Sequence, residues 1–451
     1  MKSLLFVLAI LSVSNSAFAF DETSHSSPNQ AITFSVGPDE ALTYPTDLVN
    51  LPDEHTTVLP PKHHFDPYLF FASSSLKGGS GGAVALESFD LKIFDLASGY
   101  QPHVMTPPID FTTCKSFYDP EFDLNYAAPG SVVQDPTRPP GNLIMIYEAE
   151  NHCPGSPSGG SPVWQRPFYA TVGFARSSDN GKTWPQPVDS EFGGVDRHPV
   201  LKGPVTQSPT NFPGNMGDAI PSGFVDHNFL YVVYSFTAGA QSDGLIRIAR
   251  AKLEGDDHES GEDQDSPGKN DRQLTFLKWN NGAFSEPGIG GVDTGVLPAS
   301  GCPGRQVMPE LNYNDDLGLY LIIFVCNSNS VDGHAAWYFS TATSLERQDW
   351  TVPQLILNSR QAIISPCNLK DNSGSSFDGF YPSFMSPGAP AGHTRNTGRV
   401  YFLNGLTRRC RAHSCREHSG SRALRIEKRK TKIKLQRMTL VKAERGSRVR
   451  M

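Results

Sequence analysis

Short apolar runs, each opened by a proline and followed by a turn and a second apolar run, recur along the chain. The clearest example is Pro221-Ser-Gly-Phe-Val-Asp226, followed by Phe229-Leu-Tyr-Val-Val-Tyr234. Short runs rich in β-branched and aromatic residues, bounded by turn residues, predict β-strands. Equivalent copies open at Pro129, Pro309 and Pro382, so the repeat spans 73 to 92 residues.

Each copy also contains material for further strands. Apolar stretches at 168–176, 245–251 and 335–340 predict a third strand, and an earlier unit begins near residue 68. A β-sandwich would show short strand spacing without this longer period, whereas radially repeated four-stranded sheets are the blades of a propeller. The sequence therefore predicts an all-β fold, a β-propeller over residues 63–406 with five four-stranded blades, six being the alternative.

The first residues are typical of a secretory signal peptide. Met1-Lys2 is followed by an apolar run of about ten residues and by Ala17-Phe18-Ala19, a small-x-small cleavage pattern. A membrane span needs about 20 apolar residues, and no later segment reaches that length. We therefore expect residues 1–19 to be removed, residues 20–62 to form an extended lead-in, and the protein to be secreted, extracellular or periplasmic, without a membrane span.

Export permits disulfide bonds, and the chain has seven cysteines. Cys114 and Cys153 flank one predicted β unit and are our first candidate pair. Cys302, Cys326 and Cys367 can supply another bridge. The cysteines lack the paired CxxC spacing of a zinc site, and the histidines share no metal-ligand spacing. We expect neither a metal nor another cofactor.

Composition excludes two further classes. The chain has 41 glycines and 36 prolines among 451 residues, with 10% aromatic and 19% charged residues. So many helix breakers argue against a helical bundle, and so many aromatic residues argue against a disordered chain. These proportions fit a turn-rich β protein.

The formal net charge of −7 combines two unlike parts. Residues 407–451 contain 16 basic and three acidic residues, a net charge of +13, whereas residues 1–406 have a net charge of −20. The acidic body makes nucleic acid an unexpected partner for the propeller. The basic segment is interpreted as a tail outside the fold, either a solvated extension, a binder of acidic polymers, or sequence foreign to the domain.

One eight-residue segment matches the Asp-box pattern S-x-D-x-G-x-T-W. Its aspartate can accept backbone hydrogen bonds in a hairpin turn, its glycine can adopt a positive φ, and its tryptophan can be buried between strands. We therefore expect a structural role rather than a catalytic one. The pattern residues are Ser177, Asp179, Gly181, Thr183 and Trp184.

The Asp-box, or BNR repeat, resembles that of sialidases and other secreted propellers. The run of proline-opened strands over residues 65–406 is more similar to five-bladed glycosidase propellers of the arabinanase, xylosidase or DUF4185 type. The resemblance implies a carbohydrate-active protein with three acidic residues on different blades, including a glutamate acid. The sialidase motif Phe/Tyr-Arg-Ile-Pro is absent and only Thr137-Arg138-Pro139-Pro140 approaches it, which disfavours sialic acid but keeps Arg138 as a substrate-binding candidate.

In a propeller, residues at the start of each innermost strand converge at one mouth of the central channel. Asp123, Asp218 and Asp378 precede three of the four repeat prolines, and Arg305 precedes the other. Glycoside hydrolysis uses two carboxyl groups on either side of the scissile bond, and an arginine can hold a sugar. We therefore predict catalytic roles for the aspartates and substrate binding for Arg305, with Tyr381 as a further contact.

Glu148 and Glu150 form a separate candidate pair. Alternate residues of a strand point to the same face, so these two carboxyl groups can act together in catalysis, bind a cation, or form a solvated strand end. The leading interpretation is a monomeric glycoside hydrolase that acts on an extracellular poly- or oligosaccharide. The alternative is a glycan-binding or adhesion propeller without catalytic activity.

Overall fold

The computed structural model describes residues 32–49, 51–52, 54–76, 81–107, 122–123, 125–152, 168–184, 197–203, 216–238, 243–253, 274–327, 335–358, 380–404 and 418–428. Within these ranges the chain forms β-strands and no helix, which confirms the all-β prediction. It follows that no helix in the described part of the chain could cross a membrane. Residues 34–427 form one compact unit.

The strands, in chain order, are β1 (Ile32–Ala41), β2 (Leu48–Val49), β3 (Thr57–Leu59), β4 (Tyr68–Leu76), β5 (Gly81–Ser88), β6 (Asp95–Leu96), β7 (Tyr126–Gln134), β8 (Leu143–Asn151), β9 (Tyr169–Ser177), β10 (Arg197–Leu201), β11 (Met216–Asp226), β12 (Phe229–Ala238), β13 (Ile246–Lys252), β14 (Phe276–Asn280), β15 (Ala283–Pro287), β16 (Arg305–Asn314), β17 (Leu319–Asn327), β18 (Ala335–Ala342), β19 (Gln354–Asn358), β20 (Phe380–Met385), β21 (His393–Thr394), β22 (Thr397–Asn404) and β23 (His418–Lys428).

Antiparallel pairing sorts these strands into five groups. In the first group β2 and β3 both pair with β4, and β5 and β6 follow outward. The second group runs β7-β8-β9-β10, and the third runs β11-β12-β13-β14-β15. The fourth runs β16-β17-β18-β19, with β21 parallel to β16. The fifth runs β20-β22-β23-β1. In each group the chain starts at the inner strand and continues outward strand by strand. In the fifth group the outermost strand is β1, which comes from the N-terminal part of the described chain.

Five hydrogen bonds join the inner strands into a ring. In each, a side chain of one group accepts a bond from a backbone N–H of the next. The bonds run from Val132 N to Thr57 Oγ1 (2.9 Å), Gly223 N to Ser131 Oγ (2.9 Å), Leu311 N to Ser222 Oγ (3.1 Å), Phe384 N to Glu310 Oε2 (2.6 Å) and Thr56 N to Ser383 Oγ (2.9 Å). The last bond returns to the first group, so the sheets surround a central channel as the blades of a β-propeller.

The proline pattern of the sequence corresponds to a bulge in the inner strands. Ile220, Met308 and Tyr381 each precede a repeat proline and have φ of 53°, 55° and 53°. The register with the second strand shifts at each of these sites. A positive φ is unfavourable for residues with a β-carbon, and most so for a β-branched one, so these bulges hold strained backbone around one level of the channel.

The hydrophobic cores lie between neighbouring groups. Phe71 of the first group packs in one cluster with Met145 of the second, and Ile144 of the second packs with Val232 of the third. The third and fourth groups share a core that contains the disulfide between Cys302 and Cys326. Burying both faces of each sheet in this way explains why the strands are apolar along their whole length.

The Asp-box forms the hairpin contacts expected from its spacing. Asp179 accepts hydrogen bonds from Ser177 Oγ (2.7 Å), Thr183 N (3.0 Å) and Thr183 Oγ1 (2.6 Å). Gly181 has a φ of 80°, and the Trp184 ring is buried with its centroid 6.2 Å from that of Phe71. These bonds use both carboxylate oxygens of Asp179 inside the turn, in keeping with a structural role.

Two stretches that the sequence analysis places outside the propeller contain strands of its sheets. The predicted lead-in, residues 20–62, contains β1, β2 and β3. The predicted basic tail contains β23, which pairs with β22. Leu424 and Ile426 are buried while Arg425 between them is exposed, so the alternation typical of a strand is present within the basic segment. Cys114 and Cys153, the first candidate disulfide, lie outside the described residues.

Candidate active site

The carboxyl groups of Glu148 and Glu150 lie together at the end of the channel where the inner strands begin. On β8 they oppose Ala128 and Tyr126, at the start of β7. Both are buried, with 1% and 8% of their surface exposed. Because residues two apart share one face of a strand, the two side chains meet and hydrogen-bond each other.

Two further groups of the propeller contact this pair. Glu54, which lies between β2 and β3, hydrogen-bonds the Glu148 carboxyl. The backbone N–H of Ile220, at the bulge of β11, donates to Glu148 Oε2 over 2.5 Å. The strained bulge thus aims a backbone donor at the carboxyl pair. Three groups of strands converge here, as expected at the mouth of a propeller channel.

Burial raises the pKa of Glu148 to about 8, and repulsion between its charge and that of Glu150 adds to the shift. Burial likewise raises the pKa of Glu150 to about 8. Two carboxyl groups this close resist joint ionisation. The pair therefore holds at least one proton at neutral pH, which is the state required of a general acid.

His152 lies on the outer side of the pair. Its Nε2 is 2.6 Å from Glu150 Oε2, and its backbone N–H donates to Asn125 Oδ1 over 2.9 Å. Asn125 N in turn donates to the carbonyl of Glu150. These contacts fix the end of β8 and thereby the orientation of Glu150. We call Glu54, Glu148, Glu150 and His152 the mouth cluster.

His55 lies beside the mouth cluster and contacts the fourth and fifth groups. Its Nδ1 is 3.4 Å from Ser383 Oγ, and its ring lies near the backbone carbonyls of Pro309 and Pro382. Burial lowers its pKa to about 3, so the ring is neutral at physiological pH. The ring of Tyr381 lies edge-on at 6.4 Å from that of His55. Tyr381 is therefore at the same end of the channel as the mouth cluster.

Asp123 forms a fully buried ion pair. Its Oδ2 accepts from Arg197 Nη2 at 2.6 Å, from Arg197 Nε at 2.8 Å and from the Tyr147 hydroxyl at 2.9 Å. Asp123 and Arg197 are both 0% exposed. The carboxylate offers no surface to a substrate, but it fixes Tyr147, the residue next to Glu148.

Asp218 repeats this arrangement one group further on. Lys278 Nζ donates to Asp218 Oδ2 over 2.8 Å, and both side chains are 0% exposed. Burial raises the pKa of Asp218 to about 6, although the charge of Lys278 opposes the shift. In both cases the cation comes from an outer strand, β10 or β14. The two aspartates thus form similar buried ion pairs in successive blades, where neither carboxylate is exposed.

The two predicted arginines lie at opposite ends of their strands. Arg305 is the first residue of β16 and is partly exposed. Arg138 lies in the turn between β7 and β8, at the far end of these strands from Glu148, with its Nε 3.9 Å from Asp135 Oδ2. Asp378 lies outside the described residues. Among the described residues, no group of three or more His, Cys, Asp and Glu side chains is arranged to hold a metal ion.

Glu54 and His55 are functional candidates that the sequence analysis missed, because they fall in the predicted lead-in and follow no repeat proline. Glu310, by contrast, is a candidate that the sequence does indicate, because it directly follows the repeat proline Pro309. It supplies a carboxyl group to the ring of inner strands where the other four groups supply hydroxyls. Burial raises its pKa to about 8.

The raised pKa values predict how stability depends on pH. Glu148, Glu150 and Glu310 bind protons more tightly in the folded than in the unfolded state, where the ordinary value is 4.5. Their contribution is complete below about pH 4.5 and is lost as the pH rises towards about 8. Urea midpoints measured across this range should fall with pH, and the slope should be smaller in the E148Q/E150Q variant. Equal slopes in both proteins would contradict the assignment.

No family model and no curated protein matches this sequence. The fold is similar to that of the catalytic domain of a GH62 α-L-arabinofuranosidase from Coprinopsis cinerea, at 13% identity, with 87% of this chain and 97% of that chain covered and a TM-score of 0.46. It is also similar to an N-acetylgalactosamine deacetylase from F. plautii in complex with blood group B trisaccharide, at 12% identity, covering 88% and 95%, with a TM-score of 0.44. A putative exo-β-1,3-galactanase from Bifidobacterium bifidum s17 matches at 11% identity over 88% and 98%, also with a TM-score of 0.44.

Proposed function

We propose that this protein is a carbohydrate-active propeller that hydrolyses glycosidic bonds at the mouth of its channel. The observation that carries the proposal is the Glu148–Glu150 pair, two hydrogen-bonded carboxyl groups whose pKa values burial raises to about 8. Cleavage of a glycosidic bond requires a proton on the leaving oxygen. A carboxyl group that keeps its proton at neutral pH can supply it.

The pair acts in this proposal as one acid rather than as an acid and a base. Hydrogen-bonded carboxyl oxygens lie about 3 Å apart, whereas carboxyl groups that flank a scissile bond are separated by about 5 Å in retaining enzymes and about 6.5–9.5 Å in inverting ones. A second carboxylate must therefore come from another part of the mouth. Asp378 is our candidate, because it lies two residues before β20, the strand that carries Tyr381.

Asp123 and Asp218 take positioning roles in this scheme. Asp123 orients Tyr147 and Asp218 accepts from Lys278, and both carboxylates are enclosed. Arg138 is left without a role at the mouth because its turn lies at the other end of the strands. The same enclosure of both aspartates favours the second candidate function, a propeller that binds glycans without cleaving them.

Export is part of the proposal. The pattern of residues 1–19 is that of a cleaved signal peptide. The Cys302–Cys326 disulfide supports an oxidising compartment, because such bonds form and persist mainly in exported proteins. The expected partner is therefore an extracellular poly- or oligosaccharide.

A screen of the purified protein separates the two candidate functions. Neutral and acidic polysaccharides, including arabinan, galactan, xylan and polygalacturonate, are incubated with the protein, and new reducing ends are measured. In parallel, the same glycans are immobilised and binding is recorded. Release of product supports the hydrolase. Saturable binding with no product over a prolonged incubation supports the non-catalytic propeller.

A further inference from the structure

We infer that Arg305 makes the channel mouth a subsite for the negatively charged group of an acidic sugar, either a uronate carboxylate or a sulfate ester. This inference rests on the proposed function of the same mouth and adds its substrate class.

Strand register places Arg305 at the same height of the channel as Glu150. In the fourth group, Glu310, whose side chain belongs to the ring of hydrogen bonds, pairs with Ile323. Arg305 pairs with Asn327, which lies four residues further along β17. In the second group, the ring residue Ser131 pairs with Ile146, and Glu150 likewise lies four residues further along β8. At about 3.3 Å per residue, both stand roughly 13 Å from the ring, on the same side of it. They belong to different blades, so a sugar in the mouth can reach both.

Within the described part of the chain, the charge of Arg305 is not matched by a carboxylate. Among the described residues no carboxylate lies within ion-pair distance of its guanidinium, and its enclosed Nε has no hydrogen-bond acceptor. The side-chain stem is held in place by Gly244, where a β-carbon would come within 2.9 Å of Arg305 Cγ. The side chain remains partly exposed and therefore accessible to a ligand.

The buried cations of the same blades differ from Arg305 in this respect. Arg197 pairs with Asp123, Lys278 with Asp218, and Arg247 with both Asp243 and Asp293. Each of these charges has a carboxylate partner, although Arg247 Nη1, like Arg305 Nε, is an enclosed donor without an acceptor among the described residues. An enclosed donor without an acceptor costs free energy unless a ligand completes it. Of these four cations, Arg305 is the one without a carboxylate partner among the described residues, and it is therefore the one whose charge a ligand would satisfy.

The chemistry of the mouth also permits an anion. Glu148 and Glu150 share protons at neutral pH and so present less negative charge than their number suggests. A planar guanidinium binds carboxylate or sulfate oxygens through two parallel hydrogen bonds. The uronate or sulfate group would therefore contact Arg305 while the glycosidic oxygen faces the carboxyl pair.

Binding measurements with matched ligands test the inference. Galacturonate oligomers, the same oligomers after reduction of their carboxyl groups, and sulfated galactan oligomers are titrated into wild type, R305Q, R305K and K252Q. Lys252 is exposed at the far end of β13, so K252Q removes an equal charge away from the mouth. We expect wild type and K252Q to prefer the charged oligomers, and R305Q to lose about tenfold or more in affinity for them. R305K should retain part of the preference, and the better of the two charged ligands identifies the anion.

Equal affinity of wild type for charged and carboxyl-reduced oligomers would overturn the inference, as would an equal loss for both ligands in R305Q. Failure of the proposed function gives a different result. If charged oligomers bind through Arg305 and no glycan is cleaved, the subsite stands and the hydrolase falls. If only neutral glycans are bound and cleaved, the hydrolase stands and the anionic subsite falls.

Discussion

Replacement of both Glu148 and Glu150 by glutamine is expected to lower the rate of glycan hydrolysis by about 10²- to 10⁴-fold, the usual contribution of general acid catalysis. Glutamine preserves the shape and part of the hydrogen bonding of the pair but has no acidic proton. The backbone N–H of Ile220 can still donate to the side-chain oxygen at position 148. The rate should therefore fall while the protein stays folded, which circular dichroism and thermal unfolding would verify.

Each single variant should lose less than the double variant if the two carboxyl groups act as one acid. Wild-type activity should decline above about pH 8, where both groups lose their protons. Glu346 provides the control, because it pairs with Arg250 in an exposed turn away from the channel, and E346Q should be fully active. An unchanged rate in E148Q/E150Q would remove the pair from the mechanism.

Replacement of Lys278 by methionine is expected to destabilise the protein by about 3–5 kcal/mol, because it leaves the Asp218 carboxylate buried without its cation. Lys278 Nζ also lies 3.6 Å from Asp293 Oδ2 and donates to the carbonyl of Lys202. Methionine fills much of the same volume, so the effect reports charge more than packing. Unfolding in urea at pH 7 would measure the loss.

The charge interpretation has its own control. The double variant D218N/K278M removes both charges and should recover a large part of the stability lost in K278M. Loss of the Lys278 charge in K278M should raise the pKa of Asp218 further. The stability of K278M should therefore be closer to that of wild type at low pH, where the Asp218 carboxyl group is protonated, than at pH 7. If K278M unfolds at the same urea concentration as wild type, the buried pair contributes nothing measurable.

Local patterns were sufficient to predict the fold class. The prolines at 129, 221, 309 and 382 mark inner strands, and the Asp-box spacing predicts a hairpin whose hydrogen bonds all form within seven residues. These features depend on residues that are close together in the chain, so they can be predicted from a single sequence. The inner strand of the first group was missed because β3 has only three residues and no proline opens it.

The site depends on contacts between distant parts of the chain, and here the sequence was less informative. Alternation along β8 was enough to predict that the side chains of Glu148 and Glu150 lie on one face of the strand. The sequence does not reveal that Arg197 and Lys278, on outer strands, pair with Asp123 and Asp218. The partner that decides whether a carboxylate is catalytic or enclosed lies 60 or more residues away.

The pairing of β1 with β23 has a consequence for biosynthesis. β1 leaves the ribosome before every other described strand, while its neighbour β23 is the last of them to be made. The first four sheets can assemble from strands that are close in sequence during translation. The fifth cannot, so β1 must remain without its partner until synthesis of the described chain is nearly complete. Closure of the propeller is therefore a late step of folding, and the exposed edge of β1 is the point at which a chaperone would be needed.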